Sequence, residues 1–179
     1  MPLYVGFIGL TTIIAGTARG LGEEIGWRGF LGPLLHERFG YTRAALIIGV
    51  IWTVWHVPLI LCADYNSAAP RAFALACFFV MVINLSFIMA WFRLKSGSVW
   101  PAAILHGSHN LFIQVIFTPL TAPRGIITAY AIDEFGFMLP LTTFAVALIL
   151  WLRRGQAIAA YEARRENFVE PRLASHPEE

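Results

Sequence analysis

Five stretches of the chain, 3–18, 44–62, 72–92, 99–118 and 135–152, are almost wholly apolar. A helix needs roughly 20 apolar residues to cross a bilayer, and each stretch is that long or nearly so. Lipid offers no hydrogen bonds to a bare backbone, so such segments span as helices. Composition agrees. Of 179 residues, 58% are hydrophobic and 13% charged, against about 45–50% and 25% in soluble domains. The sequence predicts an all-α fold: a polytopic transmembrane bundle of about five spanning helices, plus a partly amphipathic helix after Glu23. One membrane-embedded domain is expected over 1–155 and a cytoplasmic polar tail over 156–179. "ADYNSAAPR" and "PLTAPRGIITAYAIDE" carry turn and breaker residues and read as connections. Pro140 is expected to kink the fifth block. The first block lacks the basic flank and cleavage-like stretch of a signal peptide. The tail mixes charge signs and predicts a short juxtamembrane helix that frays.

Charge gives orientation. Eleven of the thirteen Lys and Arg fall in 19–43, in the turn after the third block, or in the tail; Arg71 and Arg124 lie on the other side. The positive-inside rule then puts the N-terminus outside and the C-terminus in the cytoplasm. The net charge of +2 marks topology rather than a patch for nucleic acid. Cys62 and Cys77 sit in or beside apolar blocks, which predicts packing rather than a disulfide.

Ionisable groups inside apolar blocks are costly and mark function. Here they are Glu23, Glu24, Arg28, His56, His106 and His109, with Asn110, Asn84 and Gln114 as further polar residues. Glu23 and Glu24 are about 100° apart on a helix and cannot face one point. Glu24 and Arg28 are four apart, acid first, the favourable order for an ion pair. A surface pair at the interface is the bland alternative. His56 lies in "WTVWHVPL", where a packed core histidine is the alternative, and Pro58 is expected to loosen the helix. His106 and Asn110 share a face in "LHGSHNLF", with His109 flanking it. That pair can bind a metal, hold a water, donate to an oxyanion, or act as interhelical glue. At about 1.5 Å per residue, His56 and Asn110 both lie roughly 17–18 Å deep, near mid-bilayer. These positions can converge on one cavity open to the cytoplasm.

"EEIGWR" has the form EExxxR, "WTVWH" resembles FxxxH with Trp52 in the aromatic place, and "HGSHN" matches HxxxN. In this order on successive membrane helices they resemble the CAAX protease and bacteriocin-processing family, also called the Abi domain, in its bacterial branch. Its best-known member is the Ras-converting CAAX prenyl endopeptidase. The resemblance runs from about Gly20 to Phe112. It implies an intramembrane endopeptidase acting on a membrane-associated protein or peptide, with membrane lipid around it, in a bacterial inner (plasma) membrane. By resemblance Glu23 activates a water and His56 positions or deprotonates it. His106 and Asn110 stabilise the oxyanion, and Glu24 and Arg28 orient and tune the site. Family members carry more helices before the first motif, so a domain lacking upstream helices is expected. Glu23 or Glu24 with His56 and His106 could form a catalytic zinc set. There is no HExxH, and a metal-free glutamate-type site with no required cofactor is the favoured expectation. The rival classes are a non-catalytic scaffold or immunity protein of the same fold, and a transporter fragment. The latter lacks paired broken-helix repeats. Ser108 and Cys77 have no base and orienter beside them and are not expected to be nucleophiles. The sequence does not set the oligomeric state.

The orientation is testable with reporters fused after Glu179. A reporter active only in the cytoplasm should give signal, and one active only outside should stay silent; the reverse pattern inverts the topology.

Overall fold

The computed structural model describes residues 2–63, 65 and 67–175. Every described apolar block is helical, and among the described residues there is no strand. The elements are α1 (Pro2–Glu24), a π-helical stretch (Ile25–Leu31), α2 (Gly32–Cys62), α3 (Arg71–Ser96), α4 (Trp100–His109), a second π-helical stretch (Asn110–Phe117), α5 (Thr118–Leu120), α6 (Ile126–Ala131), α7 (Met138–Leu152) and α8 (Arg154–Ser175). The molecule is an all-α membrane bundle. Among the described residues, two helical runs are long and apolar enough to cross a membrane, Ile13–Cys62 and Arg71–Ser96. A third is reached if Met138–Leu152 and Arg154–Phe168, bent by 55°, count as one. The predicted count of about five is therefore not met by single unbroken helices. The fourth block alternates α, π and α, and the first two blocks are joined in one long run.

α3 is the central helix and packs against α2, α4, α7 and α8. It is buried on most sides, through Ala74, Cys77, Phe78, Met81, Val82, Leu85, Ile88 and Met89, as expected for a helix apolar all round. Buried Asn84 donates to the Pro140 carbonyl at 3.0 Å and to Thr143 Oγ1 at 3.2 Å, tying α3 to α7. Pro140 is the third residue of α7 and helps start it. The expected kink is absent because no earlier turn of helix exists there to lose a hydrogen bond. Pro58 lies within α2, which runs on to Cys62. α2 bends instead at Gly40, whose φ of 75° suits a residue without a Cβ. The bend separates the segment 32–39 from the long helix 41–62. Cys62 is exposed and Cys77 buried, both as free thiols. Exposed Val54, Leu59, Ile104, Phe117, Leu141 and Phe144 form the apolar outer surface.

The predicted tail helix exists and packs on the bundle. Ala157 on α8 is fully buried in a cluster with Tyr41 and Leu94. Tyr161 donates to Glu37 Oε1 at 2.7 Å. α3 ends at Gly97, left-handed at φ 74°. Arg164 donates to the last carbonyls of α3, at Lys95 (3.0 Å) and Leu94, as cations do at helix C-termini. Residues 176–179 lie outside the described residues.

α1 packs on α4, and small residues allow it. Gly16 and Gly20 are spaced four apart on α1. Ala103 and Gly107 are spaced four apart on α4. A Cβ on Gly107 would sit 2.6 Å from the Thr17 nitrogen and 2.8 Å from the Gly16 carbonyl carbon. A Cβ on Gly20 would meet the Ala103 oxygen and His106 at 3.2 Å. Lipid supplies no hydrophobic drive between helices, so close backbone packing of this kind is what holds them.

Glycine to alanine inside a helix normally stabilises by about 0.5–1 kcal/mol. Gly107→Ala should do the opposite and lower the melting temperature in detergent, because backbone must move. Gly22→Ala, where nothing lies within 4 Å, should leave it level or raised. Equal melting of both variants would show that the helices are not in contact here.

Candidate active site

The close approach of α1 and α4 brings Glu24 to His106. Glu24 is fully buried and Arg28 is 1% exposed. Glu24 Oε1 accepts from Arg28 Nη1 at 3.0 Å and from His106 Nδ1 at 3.0 Å. The predicted ion pair forms, with His106 as a third member. Arg28 also lies over the Trp52 ring, 4.6 Å from its centroid, a favourable cation–π distance.

Both motifs straddle a change of helix type. Glu24 is the last α residue before the first π stretch, which closes with the Gly32 amide donating to the Trp27 carbonyl five residues back. His109 is the last α residue before the second, which closes with the Thr118 amide donating to Ile113. π turns inside helices concentrate at functional sites.

Glu23 points elsewhere, as its neighbour's 100° offset requires. It lines a cavity of about 220 Å³ together with Trp52, His56, Tyr65, His106, His109, Asn110, Gln114 and Glu134. Four of the six expected site residues, Glu23, His56, His106 and Asn110, thus share one cavity. Glu24 and Arg28 stand behind it and reach it through His106. Trp52 lies in the cavity wall, 3% exposed, and its indole N–H donates to Glu23 Oε2 at 2.9 Å. An aromatic residue without an N–H has no such bond to offer.

Two histidine tautomers follow from partners that only accept. His56 Nδ1 is 3.0 Å from the Trp52 carbonyl, so that nitrogen carries the proton and Nε2 is left as an acceptor. His106 Nδ1 faces the Glu24 carboxylate, so it too holds its proton there. His106 Nε2 then donates only when the ring is an imidazolium.

Sequence reasoning missed the other end of the cavity. Glu134, in the connection before α7, is 4% exposed. Its carboxylate accepts from His109 Nε2 at 2.7 Å, from Gln114 Nε2 at 3.1 Å to each oxygen, and from the Tyr65 hydroxyl. Burial alone would push this carboxyl up, but hydrogen bonds and charge from His109, with Tyr65 and Gln114, hold it below the ordinary range. Burial first, then the Glu134 anion, push the Tyr65 hydroxyl up, so it stays a donor. The available signal was a carboxylate wedged between "YAI" and the next apolar block.

Among the described residues, no three His, Cys, Asp or Glu side chains are grouped to hold a metal ion. His56 and His106 each give Nδ1 to a protein acceptor, which leaves the Nε2 of each ring uncommitted.

Breaking a buried ion pair from one end strands the other charge, at a cost of about 3–5 kcal/mol. Glu24→Gln and Arg28→Gln should therefore both lower the melting temperature in detergent by similar amounts, whereas Glu23→Gln should melt within a degree or two of the parent. Parental melting of both pair variants would mean that the pair is solvated.

Residues 5–112, which contain all six expected site residues, match the family model described as type II CAAX prenyl endopeptidase Rce1-like. The CAAX prenyl protease 2 of Methanococcus maripaludis is 33% identical over 93 residues, covering 50% of this chain and 34% of that protein. The chain thus spans about a third of that relative's length. No solved structure matches. The three motifs, the cavity they build and the matched stretch agree: the chain belongs to the type II CAAX prenyl endopeptidase Rce1-like family.

Proposed function

We propose that this chain forms the core of a metal-free intramembrane endopeptidase acting on a membrane-associated protein or peptide. The observation that carries the reading is that Glu23, His56, His106 and Asn110 line one cavity. A water held between Glu23 and His56 Nε2 attacks the scissile carbonyl. The Glu23 carboxylate takes the water's proton, and the C–O bond forms as the carbonyl electrons move to oxygen. Asn110 and the imidazolium Nε2–H of His106 donate to that oxyanion; fixed donors of this kind are typically the largest catalytic effect. The intermediate collapses, the C–N bond breaks, and Glu23 returns its proton to the leaving amine. Glu24, charge-balanced by Arg28, orients the His106 ring through Nδ1. Trp52 holds one Glu23 oxygen, leaving the other to the water. In this reading the N-terminus lies outside and the C-terminus in the cytoplasm of a bacterial cell.

The test is cleavage of a peptide library by purified protein in detergent. Glu23→Gln should lose about 10²–10⁴ in rate at parental melting temperature. Activity should survive full demetallation. Parental cleavage by Glu23→Gln sinks the general-base assignment. One tightly bound zinc per chain, lost in His56→Ala, sinks the metal-free one. A parent that cleaves nothing favours a scaffold.

A further inference from the structure

The matched family stretch ends at residue 112, and two cavity residues lie beyond it: Gln114 and Glu134. The mechanism above uses neither, nor His109. All three belong to one arrangement. Gln114 is five residues after His109. In an α-helix five residues turn through 500°, leaving the two side chains 140° apart. Yet both donate to the same carboxylate. They do so because the π stretch Asn110–Phe117 begins between them, and its wider turn brings side chains five apart toward one line. The π geometry and the shared carboxylate require each other. Relaxation to a regular α-helix would pull His109 or Gln114 off Glu134.

Asn110 is the first residue of that stretch and lies between the two donors. Its direction is therefore set by the register they hold. Packing holds the start of the stretch: Leu111 is buried, 2% exposed, and α4 just before it lies tight against α1 at Gly107. A second cavity of about 370 Å³ also borders the segment, lined by Arg19, Asn110, Leu111, Gln114 and Val115 among others. Toward the first cavity the stretch is gripped by the Glu134 carboxylate, itself buried and held by Tyr65.

We propose that Glu134 is a positioning residue: by gripping His109 and Gln114 together it holds the π register of Asn110–Phe117 and so aims the Asn110 carboxamide at the reacting carbonyl. This rests on the reading of Asn110 as an oxyanion donor. Glu134 has both oxygens taken up by His109, Gln114 and Tyr65. Its contribution passes through Asn110 and vanishes when Asn110 cannot donate. A misplacement of about 1 Å costs on the order of 10²-fold in rate, and a lost oxyanion donor about 10²–10³. The effect of Glu134 is bounded by that of Asn110.

A double-mutant cycle tests this, using the full chain in detergent and the best-cleaved peptide from the library. Glu134→Gln keeps the shape but presents an amide to three donors. It should lower kcat by roughly 10–100-fold with KM within about twofold. Asn110→Ala should lose at least as much. The double variant should cleave as slowly as Asn110→Ala alone, because coupled residues are non-additive. A merely structural role would instead multiply the two losses, and that result overturns the proposal, as does parental kcat in Glu134→Gln. If Glu134→Gln does not fold, Gln114→Met replaces it, since it removes one donor and keeps the carboxylate; the same non-additivity supports the proposal and multiplied losses refute it. Parental kcat in Asn110→Ala, with Glu23→Gln inactive, ends this proposal and the oxyanion assignment but leaves the general base standing. Parental kcat in Glu23→Gln overturns the proposed function itself.

Discussion

A single carboxylate oxygen organises this molecule. Glu24 Oε1 receives a guanidinium from its own helix turn and an imidazole from α4, each at 3.0 Å. Desolvating a carboxylate and a guanidinium together is expensive, and the attraction offsets that only when the geometry is tight. His106 joins the pair because Gly16, Gly20, Ala103 and Gly107 let two backbones meet. Without that approach His106 would stand away from Glu24, whose carboxylate would keep only Arg28 as a partner. The contact therefore couples helix packing, the charge of Arg28 and the protonation geometry of His106.

Trp52 extends this arrangement into the cavity. Its ring lies against Arg28 and edge-on to His106, with 5.2 Å between ring centroids. Its N–H holds Glu23 and its carbonyl receives His56. One residue thus touches the charge behind the cavity and the groups within it. A bulky apolar side chain could wall the space, but it could not orient Glu23.

The bundle was legible in the sequence because lipid imposes one solution on long apolar runs. The Glu24–Arg28 pair was legible from spacing alone, and the meeting of His56 with Asn110 from their equal depth. The π stretches were not legible, since nothing in the residue types of "IGWRGFL" and "NLFIQVIF" sets them apart from the α-helical segments around them. Their extra residue per turn shows only in which side chains share a face. Glu134 was hidden for a different reason. Turn-forming residues in "PLTAPRGIITAYAIDE" mark a connection, and connections are read as surface, whereas this one returns a carboxylate to the interior. The docking of α8 was hidden too, because its mixed charges suit water as well as they suit Glu37 and the carbonyl end of α3.

The two π stretches also govern how this chain tolerates change in length. A π turn is an α-helix carrying one surplus residue, so removing one residue from Ile25–Leu31 would leave a straighter run with better local hydrogen bonding. It would also rotate everything before the cut by about 100° relative to everything after it. Glu23 and Glu24 would then swing to faces where neither Trp52 nor His106 waits. The local minimum of the backbone and the working arrangement of its side chains thus differ by a single residue. In this fold, a one-residue deletion in a greasy helix is as consequential as the loss of a charged group.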